Sequence, residues 1–163
     1  AACSTGQEAY SIAMLLSENF PELANWKVTI LGTDLSDEVL AKAREASFSQ
    51  IEINRGLPAK LLAKYFQRDG MKWKLDDKLR AVVQFCKLNL IERWPTIPQM
   101  DVVFLRNVLI YFSPETKRAI LEKVRQVMAP DGLLFLGAAE TTMGLTNAFE
   151  RVTSGTGVFY KAK

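Results

Sequence analysis

Ala1-Ala2-Cys3-Ser4-Thr5-Gly6-Gln7-Glu8, followed at once by Ala9-Tyr10-Ser11-Ile12-Ala13-Met14-Leu15-Leu16, is the stretch whose reading decides the fold. Small residues around one glycine lead straight into a run with the composition of a helix, the pattern of a tight strand-to-helix turn. Gly6 can take the positive φ such a turn needs, and the helix that follows aims its first N–H groups at whatever lies beyond the turn. The segment Ser4, Thr5, Gly6 to Glu8 therefore reads as a nucleotide-binding turn. With one glycine instead of the G-x-G-x-x-G pattern, the turn alone leaves nucleotide binding and an ordinary tight turn both open. The sequence starts inside this motif, so the strand expected to lead into it is missing and the chain reads as a fragment.

Working outward, Lys27 to Asp34 is a short apolar run rich in β-branched residues, the mark of a buried parallel strand, and it ends in an acid. Ser36 caps a helix with Asp37 and Glu38 in its first turn, continuing to about Ala46. Residues 47 to about 81 break the rhythm. They read as an inserted subdomain with a helix near Pro58 to Phe66 and strands at Met71 to Leu75 and Leu79 to Val83. Alternation resumes with strands at Val82 to Leu88 and Met100 to Arg106, separated by a loop holding Pro95 and Pro98. Ser113-Pro114-Glu115 starts a helix, whose apolar face is Ile120, Leu121, Val124, Val127 and Met128. Ala129-Pro130-Asp131-Gly132 stops it ahead of a strand at Leu133 to Gly137, and Phe149 to Lys161 forms a hairpin around Ser154-Gly155-Thr156-Gly157. The fold class is α/β, a Rossmann-like sheet of the methyltransferase kind with a small inserted subdomain.

Composition narrows the chemistry. The 163 residues, 48% hydrophobic, suffice for one domain with its own core. Histidine is absent, which excludes Ser-His-Asp, Cys-His and histidine-ligated metal chemistry from this chain. Cys3 and Cys86 read as reduced thiols, and Cys3 as a small residue packed near the ligand, with a redox or nucleophilic role as the alternative. No apolar run is long enough for a membrane span and no signal segment opens the chain, so a cytoplasmic location is expected. Between Arg55 and Arg93 ten Lys or Arg face four Asp or Glu. That excess suits an acidic partner, although a solvated surface carries the same signature.

In open parallel sheets ligands bind beyond the carboxyl ends of the strands. Four segments converge on that edge: Ser4 to Glu8, Asp34, Asn89 with Leu90, and Leu105 to Tyr111. Asp34 could accept from two ribose hydroxyls or could begin a turn, and Asn89 is equally a turn residue. Arg106 could form a surface ion pair, but a guanidinium immediately after an apolar strand stands at the ligand edge of the sheet.

Ala2-Cys3-Ser4-Thr5-Gly6-Gln7-Glu8, Gly32-Thr33-Asp34-Leu35-Ser36, Asn89-Leu90 and above all Arg106-Asn107-Val108-Leu109-Ile110-Tyr111-Phe112 together resemble the C-terminal domain of chemotaxis receptor methyltransferases of the CheR type, over essentially the whole chain. The resemblance implies S-adenosylmethionine as methyl donor, S-adenosylhomocysteine as product, no metal, and a receptor glutamate as acceptor. Carried over, Ser4, Thr5, Gly6, Glu8, Asp34, Asn89, Leu90, Leu105 and Arg106 bind the cofactor, with Asp34 on its ribose. Arg106 and Tyr111 face the methyl-transfer site. The family's N-terminal helical domain is absent from this sequence. The expected partner is the cytoplasmic helical region of chemoreceptors, with the enzyme recruited to membrane receptor arrays, and nucleic acid is not expected. The short stretch Gln67 to Lys72, with one glycine, predicts independence from a C-terminal tethering peptide. A non-catalytic cofactor-sensing or receptor-docking module, or a methyltransferase for another substrate, are the alternatives.

Overall fold

A computed structural model describes all residues 1–163. They form two compact units, one of Cys3–Leu88 and one of Ala1–Ala2 with Asn89–Lys163.

In the Cys3–Leu88 unit, helix α1 (Gln7–Asn19) begins directly after Gly6, whose φ of 85° reverses the chain. Strand β1 (Ile30–Asp34) leads into α2 (Asp37–Glu45), where the Ser36 hydroxyl accepts from the Val39 amide. β1 pairs in parallel with β5 (Val83–Lys87), Ile30 opposite Val83 and Asp34 opposite Lys87. Between them β2 (Ser47–Ser49), β3 (Phe66–Asp69) and β4 (Lys72–Leu75) make an antiparallel sheet in the order β2-β4-β3. Helices α3 (Gln50–Ile53), α4 (Ala59–Tyr65) and α5 (Asp77–Ala81) complete the insert. α3 opens with a capping box, Ser49 and Glu52 satisfying each other's amides.

The insert shares its core with the rest of the unit. Tyr10 and Met14 of α1 are buried with Phe48, Phe66, Leu75 and Val83, and Tyr10 meets the rings of Phe48 and Phe85 edge-on, centroids 6.2 and 5.7 Å away. Its hydroxyl donates to the Ala43 carbonyl at 2.8 Å, so the one polar atom of a buried ring is satisfied.

Three sequence expectations need correction. The segment Leu79 to Val83 is not a strand: Asp76 accepts from the Lys78 amide, starting α5, and only Val83 enters β5. Phe66 leaves the helix and opens β3, its ring buried beside Phe48. The strand expected from Leu133 starts five residues earlier.

That strand is β7 (Met128–Leu136) of the Asn89–Lys163 unit, whose sheet runs β6-β7-β9-β8. β6 (Met100–Leu105) and β7 are parallel, with a register shift between Met100 and Val102 that absorbs Ala129-Pro130-Asp131-Gly132 as a bulge. β9 (Gly157–Ala162) returns antiparallel, paired with both β7 and β8 (Phe149–Ser154). Helix α6 (Pro114–Val127) has Ser113 as its cap, accepting from the Thr116 amide, and buries Ile120, Leu121 and Val124. No helix of the protein is long and apolar enough to cross a membrane.

Candidate functional site

The turn from Cys3 to Gln7 is held by main-chain bonds and one acid. The Cys3 amide donates to Thr33 O of β1 at 2.8 Å, and the Gly6 amide returns to Cys3 O at 3.0 Å. Ser4 is left-handed, φ 51°. Its amide donates to Asp34 Oδ2 at 2.9 Å, and Asp34 Oδ1 accepts from the Ser36 amide at 3.1 Å. One carboxylate at the carboxyl end of β1 thus ties down both the first turn and the entry to α2. Each oxygen accepts one of these bonds and keeps a further lone-pair direction for a ligand. No side chain caps α1, and the positive end of its helix dipole lies at the turn. Ser4 is exposed, Thr5 and Glu8 are half-buried and Gly6 is buried.

Two glycines permit this geometry. A Cβ on Gly6 would stand 3.0 Å from both Ala43 Cβ and the Phe85 ring, and one on Gly32 would fall 2.6 Å from that ring and 3.2 Å from Cys3 Sγ. Burial pushes the Cys3 thiol up to about 11, which leaves it protonated and a poor nucleophile at neutral pH. That agrees with a packing role.

The remaining predicted residues belong to the other unit. Asn89 Oδ1 accepts from the Ile91 amide at 3.0 Å, the turn geometry that was its alternative reading. Leu90 is buried, and its carbonyl accepts from Lys123 Nζ at 2.5 Å and Trp94 Nε1 at 3.3 Å. Lys123 Nζ also reaches the carbonyls of Ile91 and Glu92, so one ammonium gathers the loop behind Asn89 and Leu90. Leu105, at the end of β6, is 0% exposed and offers a ligand its main chain only.

Arg106 begins the next loop and is exposed; Tyr111, 78% exposed, ends a 3-10 turn at Leu109–Tyr111. Asn107 is left-handed, φ 59°. The loop is pinned by Glu140, which the sequence reading passed over. Its Oε2 accepts from the amides of Asn107 and Gly137 at 2.8 and 2.6 Å, and its Oε1 from those of Val108 and Leu109 at 2.9 and 2.7 Å. The available signal was a glycine just past β7 followed three residues later by an acid. The structure therefore brings together Ser4, Gly6 and Asp34 in one unit, and Arg106 and Tyr111 with Glu140 in the other.

The family model for the CheR methyltransferase SAM-binding domain matches residues 1–158. Chemotaxis protein methyltransferase 1 of Pseudomonas aeruginosa is 39% identical over 168 aligned positions, covering 100% of this chain and 61% of that protein. Chemotaxis protein methyltransferase Cher2 of Pseudomonas putida is 38% identical with the same coverage. The chain thus spans about three fifths of the length of these curated relatives. Among solved structures, a glycopeptide N-methyltransferase, MtfA, complexed with sinefungin superposes with a TM-score of 0.50 at 15% identity, over 83% of this chain and 40% of that one. At that identity the likeness concerns the fold alone.

Proposed function

Because this chain belongs to the CheR methyltransferase SAM-binding-domain family, we propose that it takes S-adenosylmethionine as methyl donor and esterifies glutamate side chains on the cytoplasmic helices of chemoreceptors. The observation that carries the reading is the Asp34-closed turn ahead of α1, where a carboxylate with spare acceptor capacity stands beside a helix start capped by no side chain. These residues fit the donor: Asp34 for the ribose diol, and the Ser4 to Glu8 turn for the polar remainder. The donor supplies, when bound, a methyl group on a positively charged sulfur.

A glutamate, with an ordinary pKa near about 4.3, is already an anionic nucleophile at neutral pH, so a chain without histidine needs no general base. What remains is alignment and partial desolvation, which can supply up to about 7 to 11 kcal/mol. Arg106 is suited to hold the acceptor carboxylate in a forked pair of hydrogen bonds, and Tyr111 to wall the donor methyl. The basic stretch Arg55 to Arg93 favours acidic, glutamate-bearing receptor helices. The β3–β4 hairpin turns tightly, Asp69 opposite Lys72, which supports docking without a tethering peptide. Such docking would hold the cytoplasmic enzyme at membrane receptor arrays.

The test is labelled methyl transfer from S-adenosylmethionine to receptor-containing membranes, with base-labile label as the sign of an ester. Arg106→Ala is expected to lower turnover about 100-fold and leave cofactor affinity within about threefold. Cofactor binding with no transfer to any receptor would favour a sensing or docking module instead.

A further inference from the structure

We propose that Glu140 is a positioning residue for methyl transfer: its carboxylate sets the geometry of the loop that presents Arg106 and Tyr111. The inference rests on the functional reading above. Four main-chain amides converge on this one side chain, three of them consecutive and lying 31 to 33 residues away in sequence. Within the loop, the Tyr111 amide donates to Val108 O at 3.2 Å and the Phe112 amide to Leu109 O at 3.0 Å, so its far half closes on itself while Glu140 holds its near half. Arg106, Asn107, Ile110 and Tyr111 are all exposed, and Leu109, at 1% exposure, is its buried anchor. Asn107 is left-handed, a conformation asparagine tolerates better than other residues with a Cβ, and it turns the chain so that its own amide and those of Val108 and Leu109 all point at the one carboxylate.

The arrangement requires a carboxylate. In Glu140→Gln the amide oxygen could keep Val108 and Leu109, but the NH2 group would then face the N–H groups of Asn107 and Gly137, donor against donor. Glu140→Asp keeps the charge but is one methylene too short to span both pairs. Gly137 belongs to the same device: a Cβ there would lie 2.6 Å from Glu140 Oε2 and 2.9 Å from the Asn107 amide nitrogen.

The experiment pairs hydrogen exchange with kinetics on the wild-type protein and the Gln and Asp variants. In the wild type the amides of 107–109 and 137 should be protected. In Glu140→Gln that protection should vanish while α6 and β9 keep theirs. Turnover should fall about 100-fold, as misplacement by an ångström can cause, with KM for S-adenosylmethionine within about threefold because the Asp34 turn is untouched. Glu140→Asp should recover part of the turnover and part of the protection. Full turnover in Glu140→Gln overturns the role, as does loss of protection throughout the unit, which would make Glu140 a folding residue only. Higher turnover in the variant would mean that the carboxylate blocks the acceptor position. Wild-type protein that transfers no methyl to any receptor, yet shows the protected loop, overturns the functional reading and this role with it. Wild-type transfer with a normal Gln variant overturns the role alone.

Discussion

Adding one methyl group at each of three glycines separates backbone strain from close packing in the turn that leads into α1. Gly70, φ 59° at the tip of the β3–β4 hairpin, has nothing within 4 Å of an added Cβ, so Gly70→Ala costs only the left-handed conformation, about 1 to 2 kcal/mol. Gly6 has φ 85° and two contacts at 3.0 Å; its alanine adds overpacking of about 1 to 3 kcal/mol to the same conformational cost. Gly32 lacks the positive φ but would set its Cβ 2.6 Å from two atoms of the Phe85 ring. That ring cannot swing freely, being packed edge-on to Tyr10 at 5.7 Å, so Gly32→Ala should cost near the top of the overpacking range, about 3 kcal/mol. Urea denaturation followed by tryptophan emission reads these values as shifts in midpoint at constant m. A double variant, Gly32→Ala with Phe85→Ala, should be scarcely less stable than Phe85→Ala alone, because the clash has lost its partner. The reasoning fails if Gly6→Ala costs no more than Gly70→Ala, or if Gly32→Ala and Phe85→Ala prove additive.

Two further outcomes are expected. Asp34→Ala removes the acceptor of the Ser4 and Ser36 amides; it should cost about 2 to 3 kcal/mol and weaken S-adenosylhomocysteine binding at least about tenfold by calorimetry, and unchanged affinity would remove Asp34 from the site. Burial raises Cys3 from 9.0 to about 11 and Tyr10 from 10.0 to about 12. Above the unfolded values the unfolded chain gives up protons that the folded chain keeps, so stability should fall as pH climbs from 9.0 towards about 11. Cys3→Ala should flatten the first part of that decline in urea midpoints, and an unchanged slope would refute the assignment.

How much could be read in advance depended on the range of the interaction concerned. Ser36 and Ser113 each cap an amide three residues ahead, and Gly6 turns its own backbone, so these elements were legible locally. Leu79 to Val83 misled because a short apolar run suits a buried strand and a single helical turn equally well, and the choice fell to the Asp76 cap. Phe66 left its helix for a strand because its partners, Phe48 and Leu75, come from other elements. The start of β7 was hidden because a bulge absorbs a proline, an acid and a glycine that otherwise signal a loop.

By itself, then, the sequence determined the α/β class, the starts of α1, α2, α4 and α6, the first turn and the family motif, since each is set by spacings of a few residues. Tertiary structure alone decided that the insert shares a core with α1, that Asp34 closes the first turn, and that Glu140 holds the Arg106 to Tyr111 loop. Those contacts join residues about 30 or more positions apart. Whether such distant groups meet is settled by which faces the folded elements bury against one another, and that is a property of the whole chain.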